Sequence, residues 1–408
     1  MSSTHTEPSR AGFVLLLAGL AMFGPFSIDT VFPMFPQMQS ALHVGPVQMQ
    51  QTISVYLLAY ALMSLLHGPL SDALGRRSVV MAGVAVFVLA SIGCALSTSI
   101  WQLLFFRALQ GVSAGSGLIV GRAIIRDRFH GPEAQRVMSR ITMVFGVAPA
   151  IAPIIGGIIG TRFGWEAIFW FLAVFALVLL ATCWRWLPET HPKEARLPLE
   201  PIPLFSRYLD MLRNPRFVWL CLSGSFNFSA LFIYIASAPA FVLTHLKLGA
   251  TDFGYFFVPA IMGMMTGAYL SGRRAGRHTP ESNVKLAYAV MLLAGLGNVV
   301  YCLLAPAVAW PWAVIPIMIN GAGISLAFPT LTLLVLDIYP QERGTASSLQ
   351  AFIQLTFSAI VAGAISPWLS LRPSGLAMGA VAASLLGLVA WKLAQRAGVK
   401  SSPEMMVG

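Results

Sequence analysis

Apolar runs of membrane-spanning length recur along almost the whole of this 408-residue chain, and no other feature of the sequence restricts its fold so tightly. A bilayer core about 30 Å thick is crossed by roughly 20 apolar residues in a helix. Runs of that kind occupy 12–35, 48–70, 78–97, 102–125, 137–160 and 166–187, then 217–242, 253–272, 286–305, 312–336, 345–369 and 375–394. Between the two sets lies a polar stretch, 188–216. Backbone groups in hydrocarbon must be satisfied within the protein, so the spans are helices or a closed barrel. Uninterrupted apolar runs do not fit the alternating barrel pattern. The expected fold class is an all-α membrane protein of twelve transmembrane helices, six on each side of the polar stretch. Composition agrees, with 10% charged residues against about 25% in an ordinary soluble domain.

The formal net charge is +11, which raises nucleic acid as a partner, yet the basic residues sit in short clusters between apolar runs, as loop charges do. No nucleic-acid partner is expected, and the lipid bilayer is. With an inside N-terminus, the inner segments hold nineteen of the basic residues, Arg76, Arg77, Arg126, Arg128, Arg273, Arg274 and Arg277 among them, and the outer loops only Arg162, Lys247 and Arg372. That asymmetry predicts cytoplasmic N- and C-termini. The opening MSSTHTEPSR precedes a run of full span length without a clear small-residue cleavage site, so it reads as leading into a retained first helix rather than a signal peptide. The cysteines Cys94, Cys183, Cys221 and Cys302 all fall in apolar runs without metal-type or redox-type spacing, so neither a disulfide framework nor a metal is expected.

Two faint repeats relate the halves. LSDALGRR at 70–77 has a counterpart, LSGRRAGR, at 270–277, and PEAQRVMS at 132–139 has one, PQERGTASS, at 340–348. Offsets of 200 and 208 residues imply a duplicated six-helix unit, a plan that transporters commonly use with the substrate between the copies. The domains are then an N-terminal bundle at 1–187, a cytoplasmic linker at 188–216 and a C-terminal bundle at 217–408.

GPLSDALGRR at 68–77 resembles the signature loop of the major facilitator superfamily, G-x-L-x-D-x-x-G-R-R between the second and third helices. Here Gly68 would allow close helix approach and Gly75 a tight turn, while Asp72 could accept hydrogen bonds or pair with an arginine. In the family this loop latches the cytoplasmic side. In the fourth span, Arg107, Gln110 and Gly111 resemble the superfamily's R-x-x-Q-G motif. A guanidinium in apolar surroundings needs acceptors or a wet cavity, so Arg107 serves either coupling or the tying together of backbone carbonyls. In the fifth span, GVAPAIAPIIGGIIG resembles the motif of the antiporter branches. Gly146, Ala150, Pro153, Gly156 and Gly157 there leave one helix face nearly bare for a neighbour. The usual form has glycine before the inner proline, where this chain has Ala152. Plain small-residue packing would use the same face.

SIDTVFPMFPQM in the first span is most similar to the bicyclomycin and chloramphenicol resistance branch of the drug:proton antiporters. The resemblance implies a proton-coupled multidrug efflux antiporter, working as a monomer by alternating access and taking small drug-like, hydrophobic or amphipathic compounds. No cofactor is implied. Asp29 is the one acidic residue placed well inside a span. An ionised carboxylate in low dielectric is costly, so its charge would depend on which side water reaches it from; Asp29 and Arg107 are the expected proton-coupling pair. The other reading of Asp29 is a cap on a broken first helix, because Pro25 and Pro33 flank it.

By analogy with the family, the substrate cavity takes Phe26, Gln110, Asn227, Phe228, Tyr234 and Asn320, aromatic faces with a few amides that suit amphipathic compounds better than sugars. The cytoplasmic gate takes Gly68, Asp72, Gly75, Arg76, Arg77, Arg126 and Asp127. Export of a specific metabolite such as an amino acid or sugar is the alternative within the same class. Gly111 to Gly115 also matches G-x-S-x-G, the nucleophile elbow of hydrolases, with Ser113 in the centre. That motif works on a strand-to-helix turn, whereas here it lies in a helix and doubles as a packing face. His67, one residue before the signature loop, is either a second proton site or a structural histidine.

Overall fold

The computed structural model describes residues 10–129, 131–196 and 198–400; the opening stretch read as preceding a retained helix lies mostly outside them. Every regular element among the described residues is helical. In order they are α1 (Arg10–Asp29), α2 (Phe35–Leu42), α3 (Pro46–Leu74), α4 (Arg76–Ala95), α5 (Ile100–Arg128), α6 (Gly131–Phe163), α7 (Glu166–Trp186), α8 (Pro201–Arg213), α9 (Pro215–Ala236), α10 (Gly254–Arg274), α11 (Pro280–Leu304), α12 (Ile315–Leu336), α13 (Arg343–Ile360), α14 (Ser366–Leu369) and α15 (Pro373–Lys400). Among the described residues, eleven helical stretches are long and apolar enough to cross a membrane. The twelfth expected span is α10, whose 21 residues suffice in length but whose Thr266, Ser271 and terminal arginines dilute its hydropathy.

Helix ends follow local chemistry. Proline at the first position of α3, α8, α9 and α11 gives up no needed hydrogen bond. The side chains of Ser99, Asn214 and Thr279 cap α5, α9 and α11. Three expected spans are not single helices. The run 12–35 breaks after Asp29, where a 3-10 turn at Phe32–Met34 contains Pro33. The run 217–242 stops at Ala236, and a π-type turn, Ala240–His245, follows Pro239. The run 345–369 passes from α13 through a second π-type turn, Val361–Ile365, into α14. At each place proline cannot donate to the preceding turn, and the last two breaks are tied together by a hydrogen bond between the Ser237 and Ser366 hydroxyls.

The chain divides into two compact units. The first comprises Met1–Leu199 with Ala238–Val258. In it small residues let backbones approach, as in other membrane bundles: Gly111 lies against the Tyr56 carbonyl, Gly115 against the His67 ring and Gly117 against the Leu20 carbonyl. The second comprises Glu200–Ser237 with Pro259–Gly408. There Gly263 and Gly267 of α10 meet the carbonyls of Met318 and Ala322 on α12, and the Tyr288 and Ser223 hydroxyls bond across α11 and α9, with Ser223 donating to the Gly387 carbonyl of α15 (3.0 Å).

Candidate functional site

In the first unit Asp29 is the last residue of α1 and is buried. No hydrogen bond or ion pair reaches its carboxylate among the described residues. The helix is broken beside it, as the capping reading requires, but the carboxylate caps nothing: the 3-10 turn that follows has Val31 at its N-cap with no side-chain bond. Thr30 instead donates its hydroxyl back to the Phe26 carbonyl.

Arg107 is fully buried and is not paired with Asp29. Its guanidinium donates to the Ser27 carbonyl (2.9 Å), the Ser27 hydroxyl (3.1 Å), the Thr52 carbonyl (3.2 Å) and Gln110 Oε1 (2.8 Å), and it lies over the Tyr56 ring at 4.6 Å. Gln110 passes the network on by donating to the Ser91 hydroxyl (2.8 Å). One arginine thereby fastens α1, α3 and α5, with α4 held through glutamine, and it does so by binding backbone carbonyls. The acid and the arginine share only a neighbour: Ser27, which Arg107 grips, lies two residues before Asp29.

The predicted cavity residues fall into separate clusters. Phe26 is buried against α7, its ring stacked on Phe175 with centroids 5.7 Å apart. In the second unit, Asn227 of α9 and Asn320 of α12 both turn toward Met291 of α11, donating to its sulfur (3.4 Å) and its carbonyl (3.5 Å) respectively. The side-chain oxygen of each amide is buried without a hydrogen-bond partner among the described residues. The Tyr234 hydroxyl accepts from Asn298 (2.7 Å), and Phe228 stacks on Phe232.

At the opposite end of the first unit, the signature loop closes around Arg76. Its guanidinium reaches Asp72, the Ser71 hydroxyl and Asp127 (3.2 Å), and its backbone N–H donates to Glu189 (2.9 Å). Thr190 donates to the same Asp127 oxygen (2.9 Å), and Arg196 pairs with Glu189 (3.7 Å). Gly75 has a φ of +96°, which a side chain rarely tolerates, and a Cβ there would collide with Glu189 and Arg196. Arg77 leaves the cluster and donates to the Trp184 carbonyl (2.7 Å). Arg126 is exposed and joins no ion pair or hydrogen bond among the described residues. Gly68 is not in close approach to anything: a Cβ there would meet nothing within 4 Å.

The small-residue face of α6 is used at its far end. A Cβ on Gly156 would overlap the Thr30 carbonyl, one on Gly157 the Ala250 carbonyl, and one on Gly160 the Met34 side chain. Ala150 and Pro153 are buried, whereas a Cβ on Gly146 would meet nothing within 4 Å. Ser113 donates to the Gln110 carbonyl of its own helix (2.8 Å), so no base holds it as a nucleophile would need. His67 is buried against Gly115, and its Nδ1 has no hydrogen-bond partner among the described residues.

Sequence reasoning passed over Glu189, Thr190 and Arg196, which lie in the stretch read as linker. Their signal was present: charged residues directly after a span, within reach of a double-arginine loop. It also passed over Arg122, a second arginine inside the fourth span, and the buried Asn298. Ser27 and Thr52 act through their carbonyls, which no side-chain pattern announces.

Residues 14–363 match the family described as Major Facilitator Superfamily. A "Bicyclomycin resistance protein homolog" of Haemophilus influenzae is 29% identical over 362 residues, covering 89% of this chain and 90% of that protein. A "Chloramphenicol resistance protein" of Pseudomonas aeruginosa is 29% identical over 329 residues, covering 78% and 75%. The solved structure of a D-xylose-proton symporter superposes with a TM-score of 0.74 at 13% identity, covering 94% of this chain and 97% of that one, which shows a shared fold. A family match across most of the sequence, carried on a bundle of spanning helices whose signature loop closes on its own arginine, makes this chain a member of the Major Facilitator Superfamily, a family of transporters and not of enzymes.

Proposed function

We propose that the chain is a proton-coupled antiporter that exports small hydrophobic or amphipathic drugs from the bacterial cytoplasm across the inner membrane. The observation that carries this reading is the situation of Asp29, buried at a break in the first span with no hydrogen bond or ion pair among the described residues. A permanently charged group so placed would be costly. An acid that gains a proton while water reaches it from outside, and loses it while water reaches it from inside, turns that cost into a drive for export. Arg107 is assigned a positioning role: by holding the Ser27 carbonyl it fixes the last turn before the acid.

The relatives named for resistance to bicyclomycin and chloramphenicol support drugs as the cargo. Aromatic faces such as Phe228 and buried amides such as Asn227 and Asn320, although in separate clusters here, are the kinds of group that suit compounds with an apolar body and a few polar groups. We assign two six-helix bundles, 1–187 and 217–408, joined by a cytoplasmic linker at 188–216, with both termini cytoplasmic and one copy sufficient. The excess of basic residues in the segments on the linker's side supports that orientation. The Asp72–Arg76–Asp127 cluster, with Arg77 beside it, is the proposed cytoplasmic latch, and the Gly156–Gly157 face of α6 supplies the close packing proposed for an antiporter.

The test compares Asp29→Asn with the parent in everted membrane vesicles, using compounds of different charge across a pH series. The substitution keeps shape and removes titration. Accumulation driven by a proton gradient should be lost while drug binding and thermal midpoint are kept. Gradient-driven accumulation as steep as the parent's at every pH would move the proton to another group.

A further inference from the structure

Charged side chains crowd the last two turns of α5, and the protein spends only some of them on itself. Arg128 lies over the Phe13 ring at 4.6 Å. Asp127 accepts from Arg76 (3.2 Å) and Thr190 (2.9 Å). Arg122 and Arg126 are exposed and join no ion pair or hydrogen bond among the described residues. Both lie within the span Ile100–Arg128.

Their placement on the helix says which way they face. At roughly 100° per residue, Gly111, Gly115 and Arg122 share one arc of α5. Helix α3 covers that arc at its first two positions, where Gly111 lies against the Tyr56 carbonyl and Gly115 against the rings of His67 and Tyr60. Arg122 prolongs the arc and stays within electrostatic reach of Tyr60. Arg126, one turn on, is close enough to repel it. Asp127 projects from another side of the helix, toward Arg76.

Like charges four residues apart weaken a helix, and a guanidinium does not shed its proton to relieve them. Side by side in a membrane span, the two arginines present hydrogen-bond donors only, with a phenol near the first. Planar forks of this kind match the oxygens of carboxylate and phosphate groups. We propose that Arg122 and Arg126, with Tyr60 beside Arg122, form a binding site for the carboxylate or phosphate group of an amphipathic molecule. The site is separate from Asp29 and from the Asp72–Arg76–Asp127 cluster, and it does not depend on the direction or the coupling of transport. A cargo molecule and a lipid headgroup can both supply such a group.

The test is direct binding to the purified full-length chain in neutral detergent, so its outcome is independent of whether protons drive export. The probes are a dansylated undecanoic acid and its uncharged methyl ester. The parent should bind the acid about tenfold more tightly than the ester. The double variant Arg122→Gln, Arg126→Gln should lose that preference by weakening the acid alone, with its thermal midpoint kept because neither side chain is bonded to the protein. Arg122→Lys, which keeps the charge without the fork, should retain part of it. Displacement of the acid by short-chain phosphatidylglycerol would assign the site to a lipid headgroup, and displacement by soluble benzoate or phenyl phosphate alone would assign it to cargo. Equal affinity for acid and ester in the parent would overturn the proposal, as would a parental preference surviving in either variant.

Discussion

The C-terminal end of a helix presents the negative end of the backbone dipole, so Asp29 finds no help from α1 for its charge and none from Arg107, which spends its donors on the carbonyls of Ser27 and Thr52. Both residues stood out in the sequence because an acid and an arginine are rare inside apolar runs. Their relation did not, because backbone carbonyls leave no trace in the residue pattern and the eye supplies a salt bridge instead. Removing the guanidinium should therefore act on stability as well as transport. Arg107→Ala removes four buried hydrogen bonds and leaves Gln110 Oε1 without its donor, at about 1–3 kcal/mol for that acceptor alone. Its thermal midpoint in detergent should fall well below the parent's, and Arg107→Lys, which keeps the charge but not the fork, should fall between the two. Asp29→Asn should leave the midpoint unchanged. The amides of Asn227 and Asn320 follow the same lesson: the polar residues were visible in the sequence, but their turn toward Met291 was not.

At the scale of elements, α6 separates a glycine that is required from one that is tolerated, although one sequence motif holds both. A Cβ at Gly156 would strike the backbone of Thr30, which cannot rotate away as a side chain would, whereas Gly146 faces open space. Gly156→Ala should depress folded yield and transport, and Gly146→Ala should match the parent within about 0.5 kcal/mol; size-exclusion yield and thermal midpoints check both. The turn between α3 and α4 makes a similar contrast. Gly75→Ala meets an unfavourable φ and the Glu189–Arg196 pair together, while Gly68→Ala adds a methyl to vacant space in this structure, so only the former should destabilise. Glu189→Gln should weaken the same corner by removing the charge that meets Arg196 and the Arg76 backbone N–H; protease nicking after α7 should rise. Span positions were legible to within a few residues because apolar length is so strong a signal. The break after Asp29 was legible from Pro25 and Pro33 as one of two readings, but those after Ala236 and Ile360 were not, since apolar residues continue through them.

For the whole molecule, hydropathy pointed to an all-helical membrane protein, a class with which the family match and shared fold agree, and the faint repeats pointed to a two-part plan. Chain order is a poorer guide to packing than that plan implies. Residues Ala238–Val258 follow the linker yet associate with the first unit, where the Ala250 carbonyl rests on Gly157, Gly254 on Ile154, and Phe257 stacks on Phe32. Anyone splitting this transporter into separately expressed polypeptides inherits that mismatch. A fragment ending at residue 199 would be missing the cover its own glycines were shaped for, so solo expression should yield a piece that aggregates or is trimmed at α6. Complementation by the remaining polypeptide, supplied in the same cell, should rescue it.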